Sequence, residues 1–208
     1  QRKDLKKPYK VKFLNDALNS IFVDTENKGC YILSSETGDS IDKLRGIRDF
    51  VESPYSNIIQ IEKSSSTSII ERKSDEVICK FNHKGSLLDS TFSEELLICS
   101  YVGGPLEGMK FKTNESLWST NCKGHFLRVG FNLEINKVLG IRWDFEKGGS
   151  KFLAYINPIS GIIEKEIDIK QPICVEFINN GEYIITSHGK MYSTKDGSIV
   201  REFDFENN

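Results

Sequence analysis

The chain has 208 residues, with 28 Lys or Arg, 30 Asp or Glu and a formal charge of −2 at pH 7. This balance lacks the excess of cations with which nonspecific nucleic-acid binders displace counterions, so it argues against that class. Hydrophobic residues make up 38% of the chain, and no stretch approaches the roughly 20 apolar residues of a membrane-spanning helix. We therefore expect a soluble globular protein that binds neither nucleic acid nor membrane.

In chain order, the predicted elements are a polar tail over residues 1–8 and a single domain over 9–208 that consists of five repeats. The predicted repeats span approximately residues 9–45, 46–84, 85–123, 124–170 and 171–208. Five phenylalanines, each followed by a polar turn and an apolar run, mark the period: Phe13, Phe50, Phe92, Phe131 and Phe177. A second mark runs out of phase with the first: Gly38, Asp75, Glu115, Gly161 and Gly197. Two independent marks with a period of about 40 residues indicate a true internal repeat.

Each repeat contains four short β-rich runs. In the last repeat these are residues 172–177, 182–187, 190–194 and 198–203, separated by Asn-Asn-Gly, His-Gly and Lys-Asp-Gly turn signals. Helical periodicity is nearly absent. A four-stranded sheet cannot bury both of its faces alone, so the copies must pack on one another, and radial packing gives a β-propeller. We predict an all-β fold, a five-bladed β-propeller of four-stranded antiparallel blades, with the recurrent phenylalanines packed between blades.

The run CVEFINNGEYIITSHGKMYSTKDGSIVREFDF, which ends the last repeat, resembles a repeat of the WD-repeat and quinoprotein-like β-propeller superfamily. The similarity lies in the pattern of strands and turns across nearly the whole chain, and it implies the fold rather than an activity. Two features depart from the superfamily pattern. The Trp-Asp pair, Trp143-Asp144, falls in the second strand of repeat four, and the Gly-His element occurs once, at Gly124-His125.

In a propeller, the loops from strand four to the next strand one and from strand two to strand three share one face. We expect partner-binding residues in these loops, namely Lys43, Arg45, Arg48, His83, Lys84, Lys123, His125, Asp144, Glu146 and His188. This face is predicted to hold a cationic cluster partly ringed by carboxylates, which suits a protein partner with an acidic patch. Neither a cofactor nor a metal site is expected, because a zinc site built from the three histidines lacks a known ligand spacing.

No nucleotide-binding, metalloprotease or serine-hydrolase motif occurs in the sequence. We therefore expect a non-enzymatic protein-binding propeller, monomeric outside its complex. It would serve as a subunit of a complex or as an immunity protein that neutralises a toxin. The five cysteines, odd in number and without a CxxC pair, indicate a reducing, cytoplasmic location.

Two alternatives stay open. The first is a carbohydrate-binding or glycoside-hydrolysing five-bladed propeller, for which Glu107, Asp144 and Glu146 are candidate carboxylates. The second is a fragment of a larger scaffold propeller.

Overall fold

Within the residues that it describes, the computed structural model contains twenty β-strands in five four-stranded sheets, numbered 1 to 5 in chain order. It describes residues 8–13, 20–25, 29–44, 49–53, 58–62, 66–71, 74, 76–82, 85–120, 122–169, 175–179 and 181–203. All paired strands are antiparallel. The predicted all-β class and the four-stranded antiparallel sheets are therefore confirmed. Within the described residues, no helix is long and apolar enough to span a membrane.

The chain divides into two compact units, residues 1–83 and 84–208, and each is described by itself. Unit 1 contains sheets 1 and 2, formed by β1 (Pro8–Phe13), β2 (Ser20–Thr25), β3 (Gly29–Ser34), β4 (Ser40–Leu44), β5 (Asp49–Glu52), β6 (Ile58–Glu62), β7 (Ser66–Glu71) and β8 (Glu76–Asn82). Val23, Tyr31 and Leu33 form a buried cluster in sheet 1. The prediction of a single domain over 9–208 stays a prediction.

Unit 2 contains sheets 3, 4 and 5. Their strands are β9 (Leu87–Phe92), β10 (Leu96–Tyr101), β11 (Leu106–Lys110), β12 (Glu115–Thr120), β13 (His125–Asn132), β14 (Lys137–Asp144), β15 (Ser150–Ile156), β16 (Ile163–Asp168), β17 (Val175–Ile178), β18 (Tyr183–Thr186), β19 (Lys190–Ser193) and β20 (Ile199–Glu202). In each sheet the strands follow one another in sequence order, so each connection joins neighbouring strands.

In unit 2, the fourth strand of each sheet is the most exposed one. All six residues of β10, Leu-Leu-Ile-Cys-Ser-Tyr, are buried, as expected of a strand covered on both faces. The fourth strand β12 buries only Trp118 and Thr120, two residues apart, because alternate side chains point to opposite faces. All four residues of β20 are exposed. Among the described residues of unit 2, the first three strands of the sheets therefore carry most of the core.

The recurrent phenylalanines occupy the positions that the repeat predicts in unit 2. Phe92 and Phe131 are buried in the first strands of sheets 3 and 4, with 1% and 5% of their surfaces exposed. Phe177 packs against a core cluster shared by sheets 4 and 5, and a Cβ at Gly130 of sheet 4 would lie 3.0 Å from its ring. Phe13 and Phe50 lie in β1 and β5, and their side chains fall outside the described part.

The second periodic mark is a turn residue with a left-handed backbone between the third and fourth strands. Gly38, Gly161 and Gly197 have φ values of 72°, 70° and 83°. Each donates its N–H to a carbonyl four residues earlier, at 2.9 Å. In sheet 3 this position belongs to Asn114, with φ 58° and the same bond to Lys110, and not to Glu115 as predicted. Asn is the side chain that tolerates this conformation best after glycine, which explains the substitution. Asp75 lies outside the described residues.

This turn also packs against the sheet before it. The Trp118 indole N–H donates to the Pro158 carbonyl at 2.8 Å, and the Thr120 hydroxyl donates to the Gly161 carbonyl. A Cβ at Gly161 would lie 2.6 Å from the Trp118 ring, and a Cβ at Gly197 would lie 2.2 Å from Ile167 of sheet 4. Gly161 and Gly197 therefore combine a turn with close packing between successive sheets, whereas an added Cβ at Gly38 would have no heavy atom within 4 Å.

Candidate functional site

The predicted sharing of one face by two kinds of loop is visible in unit 2. Gly103, in the loop between β10 and β11, donates its N–H to Nδ1 of His125, the first residue of β13, at 2.9 Å. At the opposite end of β13, the Asn132 amide donates to the Thr194 hydroxyl of sheet 5 at 2.8 Å. The first strands of sheets 4 and 5 therefore begin at the same end of unit 2. We call the end that bears residues 102–105, 122–124, 145–149 and 187–189 the loop face.

Three aromatic side chains contact one another at the loop face, and we call His125, Trp143 and Phe145 the aromatic cluster. The Phe145 ring lies 4.3 Å from the Trp143 ring and 4.9 Å from the His125 ring, measured between centroids. His125 and Trp143 are directly opposite each other in the pairing of β13 with β14. Phe145 keeps 49% of its surface exposed, so the cluster presents a large apolar side chain to solvent.

A buried ionic cluster lies on the other side of β14. Arg142 and Asp144 are only 5% and 3% exposed. The Arg142 guanidinium donates to both carboxylate oxygens of Glu166, at 2.9 Å for Nη2, and to Asp144 Oδ2 at 3.0 Å. The hydrogen bond from Arg142 holds the pKa of Asp144 below its ordinary value, and bonding to Glu166 raises the pKa of Arg142. Arg142 and Asp144 are therefore both charged at neutral pH, and the guanidinium hydrogen-bonds to both carboxylates.

The ionic cluster fixes the segments that carry the aromatic cluster. Asp144 Oδ1 accepts the main-chain N–H groups of Glu146 at 3.0 Å and Lys147 at 3.3 Å, and the Asp144 carbonyl accepts that of Gly149 at 3.0 Å. Arg142 Nη1 also donates to the Lys123 carbonyl at 2.8 Å, just before β13. Phe145 is therefore exposed on a loop whose backbone is held at both ends.

Charged side chains of both signs surround the aromatic cluster. The exposed Lys123 and Glu146 form an ion pair with 2.6 Å between Nζ and Oε2. Lys147 Nζ lies 5.1 Å from the Phe152 ring centroid, and Lys151 Nζ lies 6.0 Å from that of Trp143. An exposed ion pair contributes about 0–1 kcal/mol, so these charges shape the surface more than they stabilise it.

Five of the ten residues predicted for partner binding lie on the loop face of unit 2. The structure brings Lys123, His125, Asp144 and Glu146 together around the ends of β13 and β14. His188 is exposed in the β18–β19 loop on the same face. The remaining five either lie in unit 1 or fall outside the described residues, the latter being Arg45, Arg48, His83 and Lys84.

Three residues assigned to these loops, Lys43, His125 and Asp144, lie in strands instead, and so does the candidate carboxylate Glu107. Lys43 is an exposed residue within β4, with Nζ 5.4 Å from the Tyr31 ring centroid. Asp144 is the last residue of β14 and is buried, because its carboxylate faces Arg142. Glu107 lies in β11 and is 3% exposed. The strands extend past the points at which the polar residues of the sequence indicated a turn.

The sequence analysis missed Phe145, the aromatic role of Trp143, and the Arg142–Glu166 pair. One local signal was available. Residues 142 and 144 alternate with 143 and 145 at the end of a strand, which predicts two charged groups on one side and two aromatic rings on the other. The contacts with His125 and Glu166 join residues about 20 positions apart and follow only from the strand register.

The described cysteines, Cys30, Cys79, Cys99 and Cys122, are free thiols, and the first three are buried. Burial raises the pKa values of Cys79 and Cys122 above their ordinary value, which disfavours the nucleophilic thiolate. Within the described part of the chain, no group of three or more His, Cys, Asp or Glu side chains is placed to hold a metal ion.

Neither a protein-family model nor a curated protein matches this sequence. Solved structures do match it. The WD40 domain of Pan2 from Neurospora crassa is 11% identical with a TM-score of 0.68, over 94% of this chain and 65% of that one. The computationally designed protein Ika8 is 10% identical with a TM-score of 0.58, over 97% and 76% of the two chains. The WD40 domain of coronin from Toxoplasma gondii is 15% identical with a TM-score of 0.60, over 92% and 56%.

The chain thus spans less than two thirds of the length of the two WD40 chains that it matches. At these identities the similarity shows the fold and nothing of the activity. The fold of this chain is that of a WD-repeat-like β-propeller, and the resemblance predicted from the repeats is confirmed at that level.

Proposed function

We propose that this protein is a non-enzymatic binding module whose loop face holds a protein partner. The observation that carries the proposal is the aromatic cluster, in which an exposed Phe145 rests on Trp143 and His125. A few large side chains, most often aromatic or Arg, supply most of the binding energy of protein interfaces. A single exposed phenylalanine is common, but one supported by two further rings on a loop face suits such a contact.

The rigidity of the loop supports the same proposal. Association costs free energy because side chains and loops lose freedom at the interface. The β14–β15 loop is already ordered by Asp144, which accepts two N–H groups through its carboxylate and one through its carbonyl. Arg142 in turn holds Asp144. The loop therefore already holds Phe145 in place, so binding would cost little further conformational entropy.

We propose that the partner presents an acidic patch. Lys123 and Lys147 are both exposed on the loop face, and Glu146 is the exposed carboxylate beside them. Carboxylates on a partner would pair with these lysines and speed its encounter through long-range attraction. The remaining predicted residues of the face, Arg45, Arg48, His83 and Lys84, would add to this charge if they lie where the sequence predicts.

We further propose that the five sheets close into one five-bladed ring over residues 9–208. We also propose that the protein is a monomer outside its complex and that it acts in the cytoplasm. Its role would be that of a complex subunit or of an immunity protein that neutralises a toxin. The regular series of five four-stranded sheets and the free thiols support these proposals.

The proposed face is tested by affinity capture from the native lysate with two variants. Phe145→Ser removes the exposed ring, and Ile159→Ser removes an 82% exposed side chain from the turn that follows β15, at the opposite end of sheet 4. We expect a stoichiometric partner that Phe145→Ser loses and Ile159→Ser keeps. Capture of the same partner by both variants would show that the contact lies elsewhere.

Carbohydrate binding is a second candidate, because an exposed Phe145 beside Trp143 is a possible platform for a sugar ring. Trp118, the other tryptophan of the chain, is buried in β12 and has no such role. Hydrolysis is less well supported, since Asp144 has a lowered pKa and is bonded to Arg142, whereas a general acid needs a raised pKa. Specific glycan-array binding that Phe145→Ser abolishes would favour this candidate over a protein partner.

A further inference from the structure

The turns of unit 2 at the end opposite the loop face carry three exposed aliphatic side chains. Ile159 and Ile162, in the turn between β15 and β16, keep 82% and 64% of their surfaces exposed. Leu133, in the turn between β13 and β14, keeps 53%. The two turns are neighbours, since β14 and β15 pair from Val138 and Ile156 onwards. We call Leu133, Ile159 and Ile162 the aliphatic patch, and a group of apolar side chains in contact with solvent is a mark of an interaction site.

The turn between β15 and β16 has the same main-chain geometry as the corresponding turns of sheets 1, 3 and 5. In each of the four turns a left-handed residue donates its N–H to the carbonyl four residues earlier at 2.9 Å. Two positions before this residue, where sheet 4 has Ile159, the other three sheets have Glu36, Lys112 and Lys195. One position after it, where sheet 4 has Ile162, they have Asp39, Glu115 and Ser198. The turn forms with polar residues at both positions, so its geometry does not require isoleucine.

Leu133 departs from its repeat in the same way. It lies two residues after the recurrent Phe131, and the residues at this distance in sheets 3 and 5 are the exposed Glu94 and Asn179. Sheet 4 therefore carries aliphatic side chains at three exposed turn positions at which the neighbouring sheets are polar. Neither burial nor turn geometry explains these side chains, which points to contact with a partner.

The turn that bears the two isoleucines is held in place by hydrogen bonds. The Asn157 side-chain oxygen accepts the main-chain N–H groups of Ile159 at 2.9 Å and Ser160 at 3.1 Å. The Trp118 indole of sheet 3 donates to the Pro158 carbonyl at 2.8 Å. A partner would therefore meet apolar side chains on a main chain that is already ordered, and binding would cost little further conformational entropy there.

The turns at this end of unit 2 carry more acidic than basic side chains. Their described residues are 93–95, 111–114, 133–136, 157–162, 181–182 and 194–198. The acidic residues among them are Glu94, Glu95, Glu134, Glu182 and Asp196, and the basic ones are Lys112 and Lys195. Lys195 is already ion-paired with Glu134. The excess of carboxylates around the aliphatic patch attracts a cationic partner and repels an acidic one.

We propose that this end of unit 2 is a second docking surface, which takes a protein segment that combines aliphatic or aromatic side chains with lysines or arginines. The apolar side chains of the segment pack on the aliphatic patch, and its cations lie against the acidic turns. The surface is at the end of sheet 4 opposite Phe145, so its partner is distinct from the one proposed for the loop face. The inference therefore goes beyond the proposed function and does not depend on it.

Nuclear magnetic resonance of the full chain, with labelled isoleucine, leucine and valine methyl groups, tests the proposal. The probe is the acetylated and amidated peptide Lys-Leu-Lys-Leu-Lys, and its matched control replaces each lysine by glutamate. We expect saturable shifts of the Ile159 and Ile162 methyl signals with the lysine peptide. The glutamate peptide should bind about tenfold more weakly, because its charges are repelled. The methyl groups of Val102, 54% exposed in the β10–β11 loop at the other end of unit 2, should not shift.

Two variants locate the contact. The double variant Ile159→Ser and Ile162→Ser removes apolar surface and leaves the main-chain bonds of the turn in place. It should bind the lysine peptide about tenfold more weakly, with the Leu133 methyl signals as the reporter. Val102→Ser removes an exposed aliphatic side chain from the loop face and should leave the affinity unchanged. All the substituted side chains are exposed, so both variants should fold as the wild-type chain does.

Three results would overturn the second docking surface. They are the absence of saturable shifts at Ile159 and Ile162, equal affinity for the two peptides, and unchanged affinity of the double variant for the lysine peptide. The proposed function would survive each of them, because the loop face is scored by Phe145→Ser, which leaves the aliphatic patch intact. Conversely, a loop face without a partner would leave the binding of the lysine peptide in place.

Discussion

Gly161→Ala adds one methyl group at the point where sheet 4 packs on sheet 3. Gly161 has φ 70°, and an added Cβ would lie 2.6 Å from Trp118 Cε3 and 2.9 Å from Thr120 Oγ1. The indole cannot move aside easily, because it is 7% exposed and its N–H is bonded to the Pro158 carbonyl. Gly148 is the matched control in the same unit, with φ 67° and no heavy atom within 4 Å of an added Cβ.

The two substitutions share the conformational cost and differ in packing. A non-glycine residue in the left-handed region costs roughly 1–2 kcal/mol, which applies to both positions. An extra methyl group in a well-packed contact adds about 1–3 kcal/mol, which applies to Gly161 alone. Gly161→Ala should therefore destabilise the protein by about 2–5 kcal/mol in total. Gly148→Ala should remain near the lower value.

Denaturation in urea measures both variants, followed by tryptophan fluorescence and far-ultraviolet circular dichroism. Trp118 lies at the perturbed contact, so its fluorescence reports on the packing of sheet 4 against sheet 3. The comparison is valid where the two probes give coincident transitions, as in two-state unfolding. Equal losses of stability for Gly161→Ala and Gly148→Ala would refute the packing of this turn against Trp118.

Three further predictions concern buried groups of unit 2. Phe131→Ala should cost about 3–5 kcal/mol as a core cavity, and a thermal shift no larger than that of a surface substitution would contradict it. Burial, with the charge of Asp196 as a smaller cause, raises the pKa of Tyr155 to about 12. Stability that is complete below about pH 10 should fall as the pH rises towards 12, and Tyr155→Phe should reduce this loss without abolishing it, because burial also raises the pKa of Tyr101. Arg142→Met should cost about 3 kcal/mol because it removes the ion-pair partner of the buried Asp144 carboxylate. Since Arg142 lowers the pKa of Asp144, the stability difference from wild type should shrink below about pH 4, and a pH-independent difference in denaturation would contradict this.

Much of the fold was predictable because its information is local. The four predicted strands of the last repeat overlap β17, β18, β19 and β20, since each is a short β-rich run between Gly-containing turns. Among the described turns, the periodic residue was predicted correctly in sheets 1, 4 and 5, whereas in sheet 3 Asn114 and not Glu115 takes the left-handed position. A sequence reader who treats Asn as equivalent to Gly in turns would have placed it correctly. Closure of the ring is a non-local property that the strand pattern does not determine.

The site was less predictable because its chemistry is non-local. The sequence analysis assigned His125 and Glu146 to loops of one face, and the structure brings these two segments into contact through the His125–Phe145 and Lys123–Glu146 pairs. It did not indicate that Asp144 is buried against Arg142, because a polar residue at a strand end is usually exposed. The pairing of Arg142 with Glu166 depends on which residues the outer strand places beside β14. The site therefore depends on side-chain contacts between strands, and these contacts are visible only in the structure.

The affinity of the loop face for its captured partner tests the central claim most directly. Calorimetric titration compares the wild-type chain with Phe145→Ser and with Ile159→Ser, whose side chains are 49% and 82% exposed at opposite ends of sheet 4. Loss of a central aromatic contact worth about 2 kcal/mol weakens binding by roughly thirtyfold, and this is the expected effect of Phe145→Ser. Ile159→Ser should change the affinity less than twofold, as a residue outside the contact does. Unchanged affinity for Phe145→Ser with a loss for Ile159→Ser would contradict the account.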